Sequence, residues 1–78
     1  MPREPRRPHP GRVVFANRLR QLRLDAHMTQ EQVAHRADLD RSFYVDVENG
    51  RHSVGLDRIL DIADALNVEP ASLFQRPT

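Results

Sequence analysis

Residues 29–50 read TQEQVAHRADLDRSFYVDVENG, and they contain the signals that decide the fold. Thr29 and Gln32 have the spacing of a capping box, in which each side chain satisfies a backbone group at the start of a helix. Asp40 is a good N-cap for a second helix, and Asn49-Gly50 is typical of a helix end. The segment therefore predicts two short helices joined by a tight turn, over residues 30–37 and 41–49.

Apolar residues on both sides of this segment predict three more helices. From Phe15 to Ala26 they recur at helical spacing, which indicates a helix over residues 13–26. A second apolar stripe indicates a helix over residues 56–66, which Asn67 can end in a left-handed conformation. Glu69-Pro70 favours the start of a short final helix with proline in its first turn. We therefore expect an all-α fold of five short helices.

The composition limits both the size of the core and the range of functions. The chain has 78 residues, of which 38% are hydrophobic and none is cysteine, and its four histidines lack metal-ligand spacing. One small domain of this kind has little room for a deep catalytic cleft. The longest apolar run, Val13 to Ala16, is far too short to cross a membrane. We therefore expect a cytoplasmic protein that is not an enzyme and has no metal, cofactor, small-molecule ligand or membrane partner.

The first twelve residues differ from the rest of the chain in charge and in proline content. Residues 1–12 carry four arginines against one glutamate, whereas residues 13–78 carry eight arginines against ten acidic residues. Residues 1–11 also contain four prolines and one glycine, so they cannot build a helix or bury a core. We predict a disordered basic arm over residues 1–12, which either only aids solubility or touches a nucleic-acid backbone. The folded domain is expected over residues 13–75.

Two helices joined by such a short turn form a helix-turn-helix pattern, and individual residues make it specific. The segment closely resembles the lambda-repressor-like (Cro/C1-type, XRE) helix-turn-helix family. The matching positions are Thr29-Gln30, Val33-Ala34, Leu39, Val47-Glu48 and Gly50. Residues 19–23 and 59–68 match the family too, so the resemblance covers roughly residues 13–75. Residues 39–42 (LDRS) look most like the controller proteins of restriction–modification systems.

The resemblance implies a transcriptional regulator that binds double-stranded DNA, as a homodimer on a pseudo-palindromic operator. An alternative is an antitoxin-like or other protein-interaction module that binds DNA only secondarily. Such a module would need a segment for its partner, and the short basic arm is the candidate segment in this sequence.

Candidate base contacts lie on the outer side of the predicted helix 41–49, because a recognition helix presents residues near its N-terminus to base edges. They are Arg41, Ser42, Phe43, Val45 and Asp46. Arg41 can bind guanine through two hydrogen bonds, and Asp46 can accept one from cytosine. Val45, or an exposed Phe43, can contact a thymine methyl.

Other roles remain open for several of these residues. Arg41 could instead contact a phosphate or pair with Asp40, and Phe43 could pack on its own helix. Asp46 could instead orient Arg41 or Arg51.

Candidate phosphate contacts flank the predicted recognition helix. Thr29 and Gln30 stand at the start of the preceding helix, where the positive end of the helix dipole favours an anion. Asn49, Arg51 and Ser53 follow the recognition helix and match a second backbone clamp of the family, which a protonated His52 could join. The alternatives are a purely capping role for Thr29 and a solvated turn after the helix.

Two further sets of residues have structural roles that the resemblance implies. Arg23 and Glu48 match an ion pair that fixes the first helix against the third. His27 and Asp38 replace glycines of the family pattern, so we expect both at positive φ, which Asp and His tolerate better than most residues.

Apolar residues near the end of the chain suggest a dimer surface. They are Val68, Leu73 and Phe74. The alternative is that these side chains close the core of a single chain.

Overall fold

The computed structural model describes residues 7–77, which form four α-helices and one short 3-10 helix. The α-helices are α1 (Gly11–Asp25), α2 (Gln30–Arg36), α3 (Arg41–Glu48) and α4 (Leu56–Leu66), and the 3-10 helix spans Pro70–Phe74. No strand occurs within the described residues, so the all-α prediction is confirmed. None of these helices has both the length and the apolar character that a bilayer crossing requires.

The expected count of five α-helices is wrong, because the last element is a 3-10 helix. It spans only five residues between Glu69 and Gln75, with Pro70 in its first turn. A 3-10 helix closes hydrogen bonds between residues three apart, so it suits a shorter turn than an α-helix does. The backbone N–H of Ser72 accordingly donates to the carbonyl of Glu69 at 2.9 Å.

Helix α1 begins at Gly11, before the predicted start at residue 13, and Pro10 is its N-cap residue. The ring of Pro10 fixes φ at −55°, which is already close to a helical value. Nδ1 of His9 accepts a hydrogen bond from the Gly11 N–H at 2.8 Å. Gly11 and Arg12 therefore belong to α1, although we predicted them in the arm. Residues 1–6 of that arm lie outside the described residues.

The core lies where α1, α2, α3, α4 and the 3-10 helix meet. Its largest fully buried side chains come from all five elements: Leu19, Val33, Tyr44, Val47, Ile62 and Leu73. Burial of a large apolar side chain contributes about 1.5–3 kcal/mol. The core therefore fixes α3 at a defined angle to α2.

Left-handed residues end three of the helical segments, as the sequence predicts. His27, Asp38 and Asn67 have φ values of 56°, 55° and 55°. Gly50, after α3, has φ of 73°. Such residues turn the chain sharply, so consecutive helices pack against each other through short connections.

Arg18, on α1, hydrogen-bonds to the 3-10 helix and to the residue that follows it. Its Nε donates to the carbonyl of Ser72 at 2.7 Å, and its Nη2 donates to Oε1 of Gln75 at 3.1 Å. The ring of Phe15, on α1, also contacts the ring of Phe74, in the 3-10 helix, with centroids 5.5 Å apart. The 3-10 helix is therefore held against α1 by both polar and aromatic contacts.

Candidate nucleic-acid interface

The start of α2 is held by the predicted capping box. The Thr29 hydroxyl accepts a hydrogen bond from the Gln32 N–H at 3.1 Å, and Oε1 of Gln32 accepts one from the Thr29 N–H at 2.8 Å. Thr29 and Gln32 are both exposed. The box therefore fixes the first turn of α2 while leaving its outer surface open to a ligand.

A groove of about 400 Å³ runs between the start of α2 and the outer face of α3. Its lining consists of four of the five candidate base-contact residues and one candidate phosphate-contact residue: Arg41, Ser42, Val45, Asp46 and Gln30. Arg41 and Ser42 are exposed, whereas Val45 and Asp46 are half-buried. Residues that the sequence singles out for different contacts thus share one concave surface.

Phe43 lies apart from this groove. We expected an exposed ring, but Phe43 is half-buried and packs against the core. Its ring meets His52 edge-on, with centroids 4.9 Å apart. Phe43 therefore lies on a side of α3 that borders the core and the following loop. A contact between Phe43 and a thymine methyl stays a prediction.

The charged groups at the groove form none of the internal pairs that the sequence left open. Among residues 7–77, Arg41 makes no ion pair with Asp40, and Asp46 makes none with Arg41 or Arg51. Asp46 does accept a hydrogen bond through its backbone carbonyl, from the Arg51 N–H at 2.9 Å. The Arg41 guanidinium and the Asp46 carboxylate are therefore available to an external partner.

The loop after α3 presents the second set of candidate phosphate contacts. Asn49, Arg51 and Ser53 are all exposed. Nδ1 of His52 lies 2.6 Å from the carbonyl oxygen of Ser53, and since a carbonyl can only accept, Nδ1 is the donor. This hydrogen bond and the Phe43 ring hold His52 on the side of α3 that lies outside the groove.

A buried ion pair connects the groove to the rest of the fold. Arg23 and Glu48, which the sequence suggested as partners, meet through two of the guanidinium nitrogens. Nη2 donates to Oε1 at 2.7 Å and Nε donates to Oε2 at 2.9 Å. Their side chains are only 11% and 1% exposed. Nη1 of Arg23 also donates to the carbonyl of Met28 at 2.9 Å, just before α2.

Tyr44 and Gln30 complete this network, and sequence reasoning missed both contacts. The Tyr44 hydroxyl donates to Oε2 of Glu48 at 2.7 Å. Nε2 of Gln30 donates to Oε1 of Glu48 at 3.4 Å. The four-residue spacing of Tyr44 and Glu48 on one helix face is the signal that could have revealed the first contact. We define the buried network as Arg23, Gln30, Tyr44 and Glu48.

The pKa values of the network follow from these contacts. Burial on its own raises the pKa of Glu48, but the hydrogen bonds from Arg23, Tyr44 and Gln30 and the positive charge of Arg23 together outweigh it, so the pKa is lowered. The hydrogen bond to Glu48 raises the pKa of Arg23. Burial, followed by the hydrogen bond to Glu48, raises the pKa of the Tyr44 hydroxyl. At neutral pH the network therefore holds one cation, one anion and a neutral phenol.

The three apolar residues suggested for a dimer surface occupy different environments. Leu73 is fully buried within the single chain and Val68 is partly buried, whereas Phe74 is 62% exposed. Leu73 thus closes the core of one chain, as the alternative interpretation held. Phe74 remains as the large apolar surface residue of this set, and its place in a dimer stays a prediction.

Comparison with known proteins supports the assignment that the residues suggest. Residues 19–73 match the model of a helix-turn-helix family. The chain is 40% identical over 68 residues to control protein C.BamHI from Bacillus amyloliquefaciens, with 86% of this chain and 84% of that protein covered. It is 34% identical over 64 residues to control protein C.MunI from Mycoplasma sp, with 81% and 86% covered.

A solved structure shows the same arrangement of helices. The restriction–modification controller protein C.AhdI from Aeromonas hydrophila superposes with a TM-score of 0.81 at 42% sequence identity. The match covers 83% of this chain and 98% of that one. With the helix-turn-helix geometry described above, these similarities show that the chain belongs to the lambda-repressor-like helix-turn-helix family as a DNA-binding regulator of the controller type.

Proposed function

We propose that the protein regulates transcription by binding a pseudo-palindromic operator as a homodimer, with α3 in the major groove of each half-site. The observation that carries this proposal is the groove shared by Arg41, Ser42, Val45, Asp46 and Gln30. A recognition helix reads bases through side chains near its N-terminus, and the helix before it contacts the backbone. The groove combines these two kinds of residue on one surface.

The chemistry of the groove favours a particular division of roles. Arg41 has a guanidinium that matches O6 and N7 of guanine, and Asp46 has a carboxylate that accepts from N4 of cytosine. Val45 suits a thymine methyl, and Ser42 can bond either a base or a phosphate. Because Arg41 and Asp46 make no ion pair within residues 7–77, neither must break an internal contact to bind DNA.

Phosphate contacts are assigned to the residues on either side of α3. The hydroxyl of Thr29 and the backbone N–H of Gln30, in the first turn of α2, are the donors at this end of the helix. Asn49, Arg51 and Ser53 present donors from the exposed loop after α3. These contacts set the register of α3 on the duplex but do not distinguish sequences.

Two copies are needed because one copy carries little positive charge. Residues 13–78 have two more acidic than basic residues, so electrostatic attraction of a single domain to DNA is weak. Two domains on half-sites about 34 Å apart gain affinity through effective concentration. Phe74, 62% exposed, provides an apolar contact for the second copy.

The test of the function is selection of bound duplexes from a random pool by the purified protein, followed by sequencing. The expected result is an enriched motif with two-fold symmetry. If a folded protein enriches no motif, sequence-specific regulation is wrong, and the protein-interaction module becomes the better explanation.

Variants then separate base reading from phosphate contact. Arg41→Ala is expected to relax preference at one base position by about 1–3 kcal/mol, whereas Gln30→Ala weakens binding to all sequences alike. Arg36→Ala is the matched control, since Arg36 is also exposed but does not line the groove. Equal losses on operator and random DNA for Arg41→Ala would contradict its base-reading role.

A further inference from the structure

A second groove lies where the start of α1 approaches the loop after α3. It has a volume of about 520 Å³. Its lining is formed by Arg7, Pro8, His9, Pro10, Arg12 and Ser53. We define the basic groove as Arg7, His9, Arg12 and Ser53. Residues far apart in the sequence thus converge on one surface that the helix-turn-helix segment does not explain.

Within residues 7–77, no acidic side chain compensates the charge of the basic groove. Two arginines and no acidic residue are among the described residues that line it. Within residues 7–77, neither Arg7 nor Arg12 forms an ion pair. Arg7 is exposed and Arg12 is half-buried, so both guanidinium groups keep access to solvent. A concave surface with two unpaired cations is complementary to an anion.

His9 and Ser53 add hydrogen-bond donors to the basic groove. Since Nδ1 of His9 accepts from the Gly11 N–H at 2.8 Å, the neutral ring carries its proton on Nε2. Nε2 is therefore a donor while this hydrogen bond lasts. The Ser53 hydroxyl is a further donor and is exposed. Cationic and neutral donors around one concavity are the groups that bind phosphate oxygens.

The basic groove is continuous with the surface assigned to the DNA backbone. Ser53 belongs both to the basic groove and to the candidate phosphate contacts of the loop. His52, which packs on Phe43 of α3, lines a neighbouring cavity together with His9 and Arg12. A duplex that touches this loop therefore passes close to the start of α1.

We propose that the basic groove binds backbone phosphates of the same DNA duplex, outside the base pairs that α3 reads. Arg7 and Arg12 each neutralise one phosphate, and His9 and Ser53 donate hydrogen bonds to the phosphate oxygens. The contact is independent of base sequence, so it lengthens the footprint and raises affinity without changing preference. The proposal rests on the proposed function in one respect: it requires that the protein binds a DNA duplex.

The experiment compares the salt dependence of DNA binding by two double variants. Arg7→Gln/Arg12→Gln removes the two cations of the basic groove, and Arg20→Gln/Arg36→Gln removes two exposed cations that do not line it. Log affinity is measured against log salt concentration on operator and on random duplexes, and thermal melting verifies that both variants fold. The groove variant is expected to lose about 0.9 in slope for each phosphate, which is about 1.8 for each bound copy and about 3.6 for a bound dimer, on both duplexes. The control variant is expected to keep the wild-type slope.

Trimming the duplex locates the contact. Removing base pairs from the ends of the operator should weaken wild-type binding before the selected motif is reached. The groove variant should bind the long and the trimmed duplexes equally. If its slope equals that of the control variant, or if it still responds to trimming as the wild type does, the proposal is overturned.

The outcomes separate this proposal from the proposed function. If the wild type binds operator and random DNA equally but the groove variant loses slope, sequence-specific regulation fails while the phosphate contact stands. If the wild type is selective and the groove variant behaves as the control does, the phosphate contact fails while the regulator stands. A wild-type protein that binds no DNA at all refutes both.

Discussion

The carboxylate of Glu48 accepts hydrogen bonds from three helical elements although its side chain is only 1% exposed. Arg23 reaches it from α1, Gln30 from α2, and Tyr44 from the same helix, α3. A buried charge is tolerated only when it is paired and its lone pairs are satisfied, and here both conditions hold. Glu48 therefore fixes α3 relative to the two helices before it.

Removing this charge is expected to destabilise the fold strongly. Glu48→Gln leaves the Arg23 guanidinium buried without a counter-charge, so the free energy of unfolding should fall by about 3–5 kcal/mol. Asp61→Asn is the matched control, because it breaks the more exposed Arg58–Asp61 pair, worth at most about 1 kcal/mol. Urea unfolding of the two variants measures both effects, and losses of equal size would contradict the stabilising role of the buried network.

The lowered pKa of Glu48 gives the stability a definite pH dependence. A carboxyl whose pKa is lower in the folded than in the unfolded state binds fewer protons when folded, so its contribution is fully present above the unfolded pKa near 4.5. That contribution is lost as the pH falls through the lower folded pKa. We expect the stability difference between wild type and Glu48→Gln to be constant near neutral pH and to shrink below about pH 4.5. Urea midpoints across this range test it, and a difference that grows on acidification would show the opposite sign.

A contact between residues close together in the sequence was predicted correctly. The capping box of Thr29 and Gln32 depends on residues three apart, so the sequence contains all that is needed to predict it. The edge-on contact of Phe43 with His52 depends on the path of the loop after α3, which short-range patterns do not determine. The hydrogen bond from Tyr44 to Glu48 was missed, although the four-residue spacing places both side chains on one face of α3.

At the scale of elements, the predicted bounds of α2, α3 and α4 agree with the structure to within one residue at each end. The ends of these three helices contain capping residues or residues that tolerate a left-handed conformation, and such residues can be recognised in the sequence. The start of α1 was placed too late, since apolar spacing begins at residue 13 whereas Pro10 already has helical angles. The final element was given the wrong helical type, because periodicity cannot distinguish an α-helix from a 3-10 helix over five residues.

The left-handed end after α1 supports a prediction for one substitution. His27 has φ of 56°, which costs a residue with a side chain about 1–2 kcal/mol. Glycine avoids this cost but loses more entropy on folding, so His27→Gly should raise the free energy of unfolding by about 0.5–1 kcal/mol. His35→Gly is the control, since His35 is an exposed residue within α2, where glycine should instead lower stability by about 1 kcal/mol. Thermal melting compares them, and changes of the same sign would refute the explanation.

At the scale of the whole molecule, basic and acidic residues are unevenly divided. Residues 1–12 carry an excess of arginine, and residues 13–78 an excess of acid. In the described part, Arg7 and Arg12 meet the loop after α3, so the positive charge of the N-terminal segment adds to the interface side of the domain. The sequence predicted the charge division, but only the fold places it beside Ser53.

The exposed apolar side chains lead to a prediction about assembly. Phe74 is 62% exposed and Leu24 is 53% exposed, but Phe74 alone belongs to the proposed dimer surface. Phe74→Ser should therefore shift the protein from dimer to monomer. Operator occupancy should then rise more steeply with protein concentration, because two monomers must assemble on the DNA. Leu24→Ser, which removes a similar apolar surface from α1, should leave the dimer intact. Sedimentation at micromolar concentration measures both, and a Phe74→Ser protein that remains dimeric would exclude this surface.

The sharing of one buried carboxylate among α1, α2 and α3 has a consequence for damaged or heated protein. Backbone amides in α1 and α3 are expected to exchange their hydrogens through one common opening reaction, because neither helix can separate from the other without leaving a buried charge. If α3 reads DNA as proposed, heated protein is then expected to contain molecules with an intact reading surface and molecules with none.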